Sequence, residues 1–116
     1  MKTTLLRTSF LFAALMLSAI GAQAAALADK DGKTLYIFDN DKDGVSACYD
    51  DCAVEWPAYL GKEGDEMKEG WTLVKRTDGT MQWAYQGKPL YYYKDDAKAG
   101  DMAGEGHGGV WHTVQQ

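Results

Sequence analysis

The chain has 116 residues, of which 46% are hydrophobic and 25% are charged, and its formal net charge is −5. This length supports one small domain with a modest core. The acidic balance argues against partners such as nucleic acid and anionic lipid headgroups, and it is compatible with cations, basic partners or simple solubility.

Residues 1–24 have the pattern of an export signal. Lys2 and Arg7 precede a short apolar stretch, and the sequence Ala22-Gln23-Ala24 follows it as a small-residue cleavage site. The stretch is too short for a comfortable membrane span. The residue directly after the expected cut is not the cysteine that lipid attachment requires. We therefore expect a periplasmic or secreted protein with no lipid anchor and no membrane insertion after signal removal.

A ten-residue stretch occurs twice, 55 residues apart, at residues 32–41 and 87–96. The correspondence continues, because Trp56 and Trp111 each follow the closing aspartate of their copy by 15 residues. An internal duplication predicts two similar structural units. These units are expected at about residues 25–57 and 80–112.

Turn-forming dipeptides between aromatic and β-branched runs predict three hairpins. Their turns are expected at Asp31-Gly32, Asp78-Gly79 and Gln86-Gly87, and residues 109–114 are expected to form a last short strand. The predicted fold class is mostly β. It is a small antiparallel domain, residues 25–116, built from two duplicated hairpin units with one short helix.

One short helix is expected between the two copies. Ser46 is a candidate N-cap for a helix over residues 47–56, and Pro57 would end it. The segments 61–70 and 97–109 are rich in glycine and charged residues, so they are predicted to be exposed loops.

Cys48 and Cys52 are the two cysteines of the chain. In an oxidising compartment two cysteines usually form one disulfide. Because a regular helix is a poor setting for a bridge between residues four apart, we expect a distorted turn around Asp50-Asp51. The bridge would hold a turn and contribute only modest stability.

The repeated Gly-Lys-x-Leu-Tyr-x-[Phe/Tyr]-x-x-Asp unit resembles that of a bacterial family described as a secreted repeat of unknown function. Its members are predicted lipoproteins with a Tyr-x-(Phe/Trp/Tyr)-x-x-Asp motif. In this chain the motif falls on Tyr36, Phe38, Asp41, Tyr91, Tyr93 and Asp96. The resemblance implies an exported two-repeat domain, and it supplies no reaction, substrate or cofactor.

The motif aromatics share one face of each predicted strand, because side chains alternate across a strand. They are expected at equivalent positions about a pseudo-two-fold axis. Four such rings can form either a core or a shared groove, and core packing is the stronger interpretation.

The acidic segment after the first motif strand is a candidate calcium loop. Carboxylates on alternate residues, a glycine at position six and an acid at position twelve match the ligand pattern of such loops. The candidate ligands are Asp39, Asp41, Asp43 and Asp50. The alternative is an acidic turn leaving a hairpin, and no cofactor is expected.

The Cys-x3-Cys spacing is also similar to that of Sco-type copper chaperones, which hold copper with two cysteines and a distant histidine. His107 or His112 would then complete the set with Cys48 and Cys52. A structural disulfide is the favoured interpretation of the two cysteines. Copper binding or thiol redox chemistry is the alternative.

No Ser, His or acid pattern in the sequence defines an enzyme active site. The sequence therefore predicts an exported, non-catalytic binding or structural module whose partner is an unknown protein or small ligand. The alternative is a periplasmic metal or thiol-redox protein.

Overall fold

The structure, a computed structural model, describes residues 25–116, so the predicted export signal lies outside the described residues. In chain order the elements are β1 (Tyr36–Phe38), α1 (Asp51–Glu55), β2 (Leu60–Gly61), β3 (Trp71–Lys75), β4 (Met81–Tyr85), β5 (Lys88–Pro89), a 3₁₀ turn (His107–Gly109) and β6 (Trp111–Thr113). Every strand pair is antiparallel. The predicted fold class is confirmed.

The strands form two sheets. Strand β4 pairs with β3 along one edge and with both β2 and β5 along the other. Strand β1 pairs with β6, with Tyr36 opposite Thr113 and Phe38 opposite Trp111. Since β1 belongs to the first repeat and β6 to the second, the repeats are interleaved.

All three predicted hairpin turns are confirmed, and each contains a glycine with positive φ. Gly32 and Gly79 have φ of 88° and 90°, while Gln86 and Gly87 have φ of 51° and 83°. The two successive positive φ values at Gln86-Gly87 define a hairpin turn whose twist matches that of the flanking strands. The local turn chemistry thus sets the register of each hairpin.

The helix is shorter than predicted. It spans Asp51–Glu55 and begins after Asp50, which has φ of 56° and provides no side-chain cap. The prediction that Ser46 caps the helix is wrong, because Ser46 is buried and bonded to interior groups. Strain at Asp50 agrees with the distorted turn expected from the nearby disulfide.

The two repeats are related by a pseudo-two-fold axis, as predicted. The equivalent residues Tyr36 and Tyr91 exchange both backbone hydrogen bonds, at 2.8 and 3.0 Å. The equivalent tryptophans, Trp56 and Trp111, stack with ring centroids 3.8 Å apart and planes 2° apart. Tyr36 and Tyr91 have no exposed surface. The motif aromatics therefore form a core and not a groove.

A second apolar cluster lies beside this aromatic core. Its buried members are Leu27, Leu35, Trp83 and Leu90. Several partly buried aromatic residues pack against it: Tyr59, Trp71, Tyr85 and Tyr92. This cluster reaches the surface, whereas the first is closed around the stacked tryptophans.

Candidate functional site

The motif tyrosines and aspartates bond across the repeats. The Tyr36 hydroxyl donates to Asp96 Oδ2 at 2.7 Å, and the Tyr91 hydroxyl donates to Asp41 Oδ2 at 2.8 Å. Each tyrosine thus reaches the aspartate of the other copy. The motif residues join the two repeats, and this is the structural role of the repeated sequence.

The second oxygen of each motif carboxylate is also engaged. Asp96 Oδ1 accepts the backbone N–H of Ala103 at 2.8 Å, and Asp41 Oδ1 accepts that of Ala47 at 2.7 Å. Burial raises the pKa of the Tyr36 phenol far above its usual 10.0, and the hydrogen bond to Asp96 adds to the effect. The phenol therefore remains a proton donor throughout the physiological range.

We expect Tyr36→Phe and Tyr91→Phe each to lower the free energy of unfolding by about 1–3 kcal/mol, because each leaves a partly or fully buried carboxylate short of one hydrogen bond. Chemical denaturation measures the change. Tyr93→Phe is the matched control, since its equivalent in the first repeat is already Phe38. Equal stability of Tyr36→Phe and this control would contradict a role for the crossed bonds.

Arg76 organises a buried polar network around the Tyr91–Asp41 pair. Its Nη1 donates to Ser46 Oγ at 3.1 Å and to Gln82 Oε1 at 2.8 Å, and its Nη2 donates to the Cys48 carbonyl at 2.9 Å. Because Tyr91 gives its proton to Asp41, the Ser46 hydroxyl donates to Tyr91 Oη across 2.6 Å. The network ties β4 to the cysteine turn.

Cys48 and Cys52 form the predicted disulfide, with their Cα atoms 5.2 Å apart. Cys48 is fully buried beside Trp56, and Cys52 is partly exposed on α1. The bridge closes the turn that carries Asp50. It therefore supports the local structure around Trp56.

Three of the predicted calcium ligands, Asp39, Asp41 and Asp43, line one crevice, but they do not form a metal site. Asp41 has both oxygens occupied, and Asp39 Oδ2 lies 2.9 Å from His112 Nε2. Within residues 25–116, no three His, Cys, Asp or Glu side chains are close enough together to hold a metal ion. A crevice of about 480 Å³ runs along the turn past Asp43 and Gly44. Asp50 does not line it and lies at the start of α1.

The two histidines lie in different acidic surroundings. His107 Nε2 is 3.9 Å from Glu55 Oε2, and its ring packs on the edge of the aromatic core. His112 lies in β6 between Asp39 and Glu105, whose Oε2 is 3.6 Å from His112 Nδ1. The structure thus pairs each histidine with carboxylates.

The hydrogen bond to Asp39 raises the pKa of His112 above its usual 6.5. Because the folded-state pKa exceeds the unfolded one, the pair stabilises the fold fully below about pH 6.5, and this contribution is lost as the pH rises through the folded pKa. The side chains are 36% and 49% exposed, so the gain is below about 1 kcal/mol.

We expect Asp39→Asn to lower the His112 pKa in an NMR titration. Asp43→Asn, which removes the same charge from the same turn, should leave it nearly unchanged, and equal effects would contradict the pairing.

An open cleft of about 230 Å³ lies where the second cluster reaches the surface. Three aromatic rings form its walls, those of Tyr59, Trp71 and Trp83. Its rim carries Asp29, Lys30, Glu66 and Lys68. The cleft combines an apolar aromatic interior with both signs of charge at its edge, which is typical of small-ligand sites.

The sequence does not predict the cleft. Its aromatic walls come from three separate segments: Tyr59 precedes β2, Trp71 begins β3 and Trp83 lies in the middle of β4. The only signal was the aromatic content outside the motif, since 4 tryptophans and 7 tyrosines exceed what the two motif copies contain. Strand pairing brings these residues together, and no local pattern shows it.

The fold and the crossed pairs define a two-repeat antiparallel β domain. A family model described as a secreted repeat of unknown function matches residues 20–59 and 72–115, and the chain belongs to that family. The chain is accordingly an exported protein of unknown function. No curated protein and no solved structure matches it. None of the helices formed by residues 25–116 is long and apolar enough to cross a membrane.

Proposed function

We propose that the protein is a periplasmic, non-catalytic binding module that takes a small ligand in the cleft of Tyr59, Trp71 and Trp83. The observation that carries the proposal is an open aromatic cleft beside a core whose own aromatic and polar groups are mutually satisfied. Aromatic pockets with a few polar groups at the rim are the usual form of small-molecule sites.

The contacts of the motif residues support a binding site that lies outside the motif. The polar groups of four motif residues form hydrogen bonds with each other and with the backbone: Tyr36, Asp41, Tyr91 and Asp96. They hold the repeats together and leave binding to surface residues outside the motif. The duplicated motif thus builds a rigid frame, and the segment between the copies supplies Tyr59 and Trp71.

The test is an NMR screen of the exported protein with saccharides, amino acids, short peptides and organic amines. At least one class should shift the indole N–H signals of Trp71 and Trp83, and Tyr59→Val should weaken that response. The signal of Trp111, buried in the other cluster, is the internal control. If no class shifts the two indole signals, the binding proposal fails.

The alternative is a periplasmic metal or thiol-redox protein that uses Cys48, Cys52 and a histidine. The observation in its favour is that Cys52 is partly exposed, so an external thiol or oxidant can reach one sulfur of the bridge. Thiol titration with metal analysis separates the two functions. A free dithiol that retains copper favours the alternative, and a resistant disulfide without copper favours the binding module.

A further inference from the structure

We propose that the aromatic cleft binds organic cations of the quaternary ammonium class. This inference rests on the proposed binding function and adds the chemistry of the ligand. The interior of the site is formed by Tyr59, Trp71 and Trp83, and carboxylates of Asp29 and Glu66 stand at its rim.

The three rings border one cleft and pack against one another there. The centroid of Tyr59 is 6.4 Å from those of both Trp71 and Trp83, and the two indoles are 5.8 Å apart. The plane of Trp71 is nearly perpendicular to both others, at 85° and 84°. Aromatic faces are negative at their centres, so rings that line one space from different directions favour a cation. A saccharide instead stacks on a single flat face.

Asp29 adds a fixed negative charge at the edge of the cleft. Its Oδ1 accepts the N–H groups of Asp31 and Lys33 at 2.8 and 3.0 Å, and its Oδ2 accepts the Tyr92 hydroxyl at 2.7 Å. Burial works in the opposite direction, but the hydrogen bonds outweigh it and lower the pKa of Asp29. The Asp29 carboxylate is therefore ionised at neutral pH.

Two lysines also border the cleft. Lys30 Nζ lies 3.5 Å from the Asp31 carboxylate, which offsets its charge, and Lys68 borders the same cleft as Glu66. The rim is thus close to neutral, and the ring faces provide the preference for a cation. A metal ion or a primary ammonium must shed strongly held water to enter an aromatic site. A methylated ammonium has an apolar surface, so it loses less hydration energy when it enters the site.

The pseudo-symmetry places aliphatic residues of the other half at two of these positions. The N–H of Leu27 donates to the Val114 carbonyl at 2.7 Å, and the N–H of Trp83 donates to the Tyr59 carbonyl at 2.8 Å. Leu27 is therefore the equivalent of Trp83, and Val114 is the equivalent of Tyr59. Aliphatic residues fill these two positions in one half, and the aromatic pair in the other half is the one that borders the cleft.

The experiment compares choline with the neutral alcohol in which carbon replaces the nitrogen, each titrated into the exported protein. We expect saturable shifts of the Trp71 and Trp83 indole signals with choline and about tenfold weaker binding of the neutral isostere. Tyr59→Val and Trp83→Leu introduce the aliphatic residues of the other repeat, so they should fold. Each should weaken choline binding about two- to thirtyfold, and Tyr93→Phe should not.

The outcomes separate the two proposals. Equal or tighter binding of the neutral isostere, or of a saccharide, overturns the ligand class and leaves the binding function intact. If choline gives no response while another class shifts the same indole signals, the ligand class is likewise overturned and the binding function stays intact. If choline and every other class leave these signals unchanged, both proposals fall. A choline response that survives in Tyr59→Val and Trp83→Leu overturns this location of the site.

Discussion

Replacing Trp111 by alanine should lower the free energy of unfolding by about 3–5 kcal/mol, the usual cost of removing a large buried aromatic side chain. Trp111 is 4% exposed and stacks on both Trp56 and Phe38, with centroids 3.8 and 4.1 Å away. Tyr91 also packs its edge on the indole at 5.1 Å. The stability of a natural domain is about 5–15 kcal/mol, so this single change removes much of it.

Chemical denaturation measures the loss of unfolding free energy. Trp56→Ala should show a similar loss, because Trp56 occupies the equivalent place across the pseudo-two-fold axis. Trp71→Ala, at a partly exposed tryptophan, is the control and should cost clearly less. A double-mutant cycle with Trp56→Leu and Trp111→Leu should give a coupling of about 0.5–1.5 kcal/mol for the stacked pair. Independent effects of the two changes would contradict the central position of the stack.

Replacing Arg76 by methionine should destabilise the fold by about 3–5 kcal/mol, although the side chain keeps most of its volume. The guanidinium is 4% exposed, and its loss leaves Ser46, Gln82 and the Cys48 carbonyl each short of a donor. An unsatisfied buried acceptor costs about 1–3 kcal/mol. The guanidinium carbon also lies 4.3 Å from the centre of the Tyr49 ring, and that contact is lost too.

Arg76→Lys should recover only part of this stability, because a lysine ammonium cannot reproduce the planar fork of the guanidinium. The neighbouring exposed change Lys75→Met is the control for loss of charge and should lie within about 0.5 kcal/mol of the parent. Differential scanning calorimetry or denaturant unfolding provides the comparison. Full stability of Arg76→Lys would show that charge alone, and not the forked hydrogen bonds, holds the network.

The crossed Tyr–Asp pairs make each repeat depend on the other. Tyr36 has its acceptor, Asp96, in the second repeat, and Asp41 has its donor, Tyr91, there as well. A single repeat leaves these groups without partners and exposes the face of its tryptophan. The two copies therefore form one cooperative unit, and the charged loops and the cleft are carried on this common frame.

The sequence by itself determined the local structure of this protein. Gly32, Gly79 and Gly87 mark the turns because only glycine adopts positive φ at little cost, and the duplicated motif showed two equivalent units. The disulfide between Cys48 and Cys52 was also predictable, because two cysteines in an oxidising compartment usually form one bridge. The helix start at Asp51 did not follow, since the bridge and the buried position of Ser46 override the local capping preference.

Only the tertiary structure decided which groups meet across the chain. The repeat leaves open whether Tyr36 bonds Asp41 of its own copy or Asp96 of the other, and the pairing of β1 with β6 and of Tyr36 with Tyr91 selects the second. The cleft depended on the same long-range pairing, because Tyr59, Trp71 and Trp83 meet only after β2, β3 and β4 have joined. Hydrogen bonds between distant strands leave no periodic signal in the sequence, whereas turns and alternating faces do.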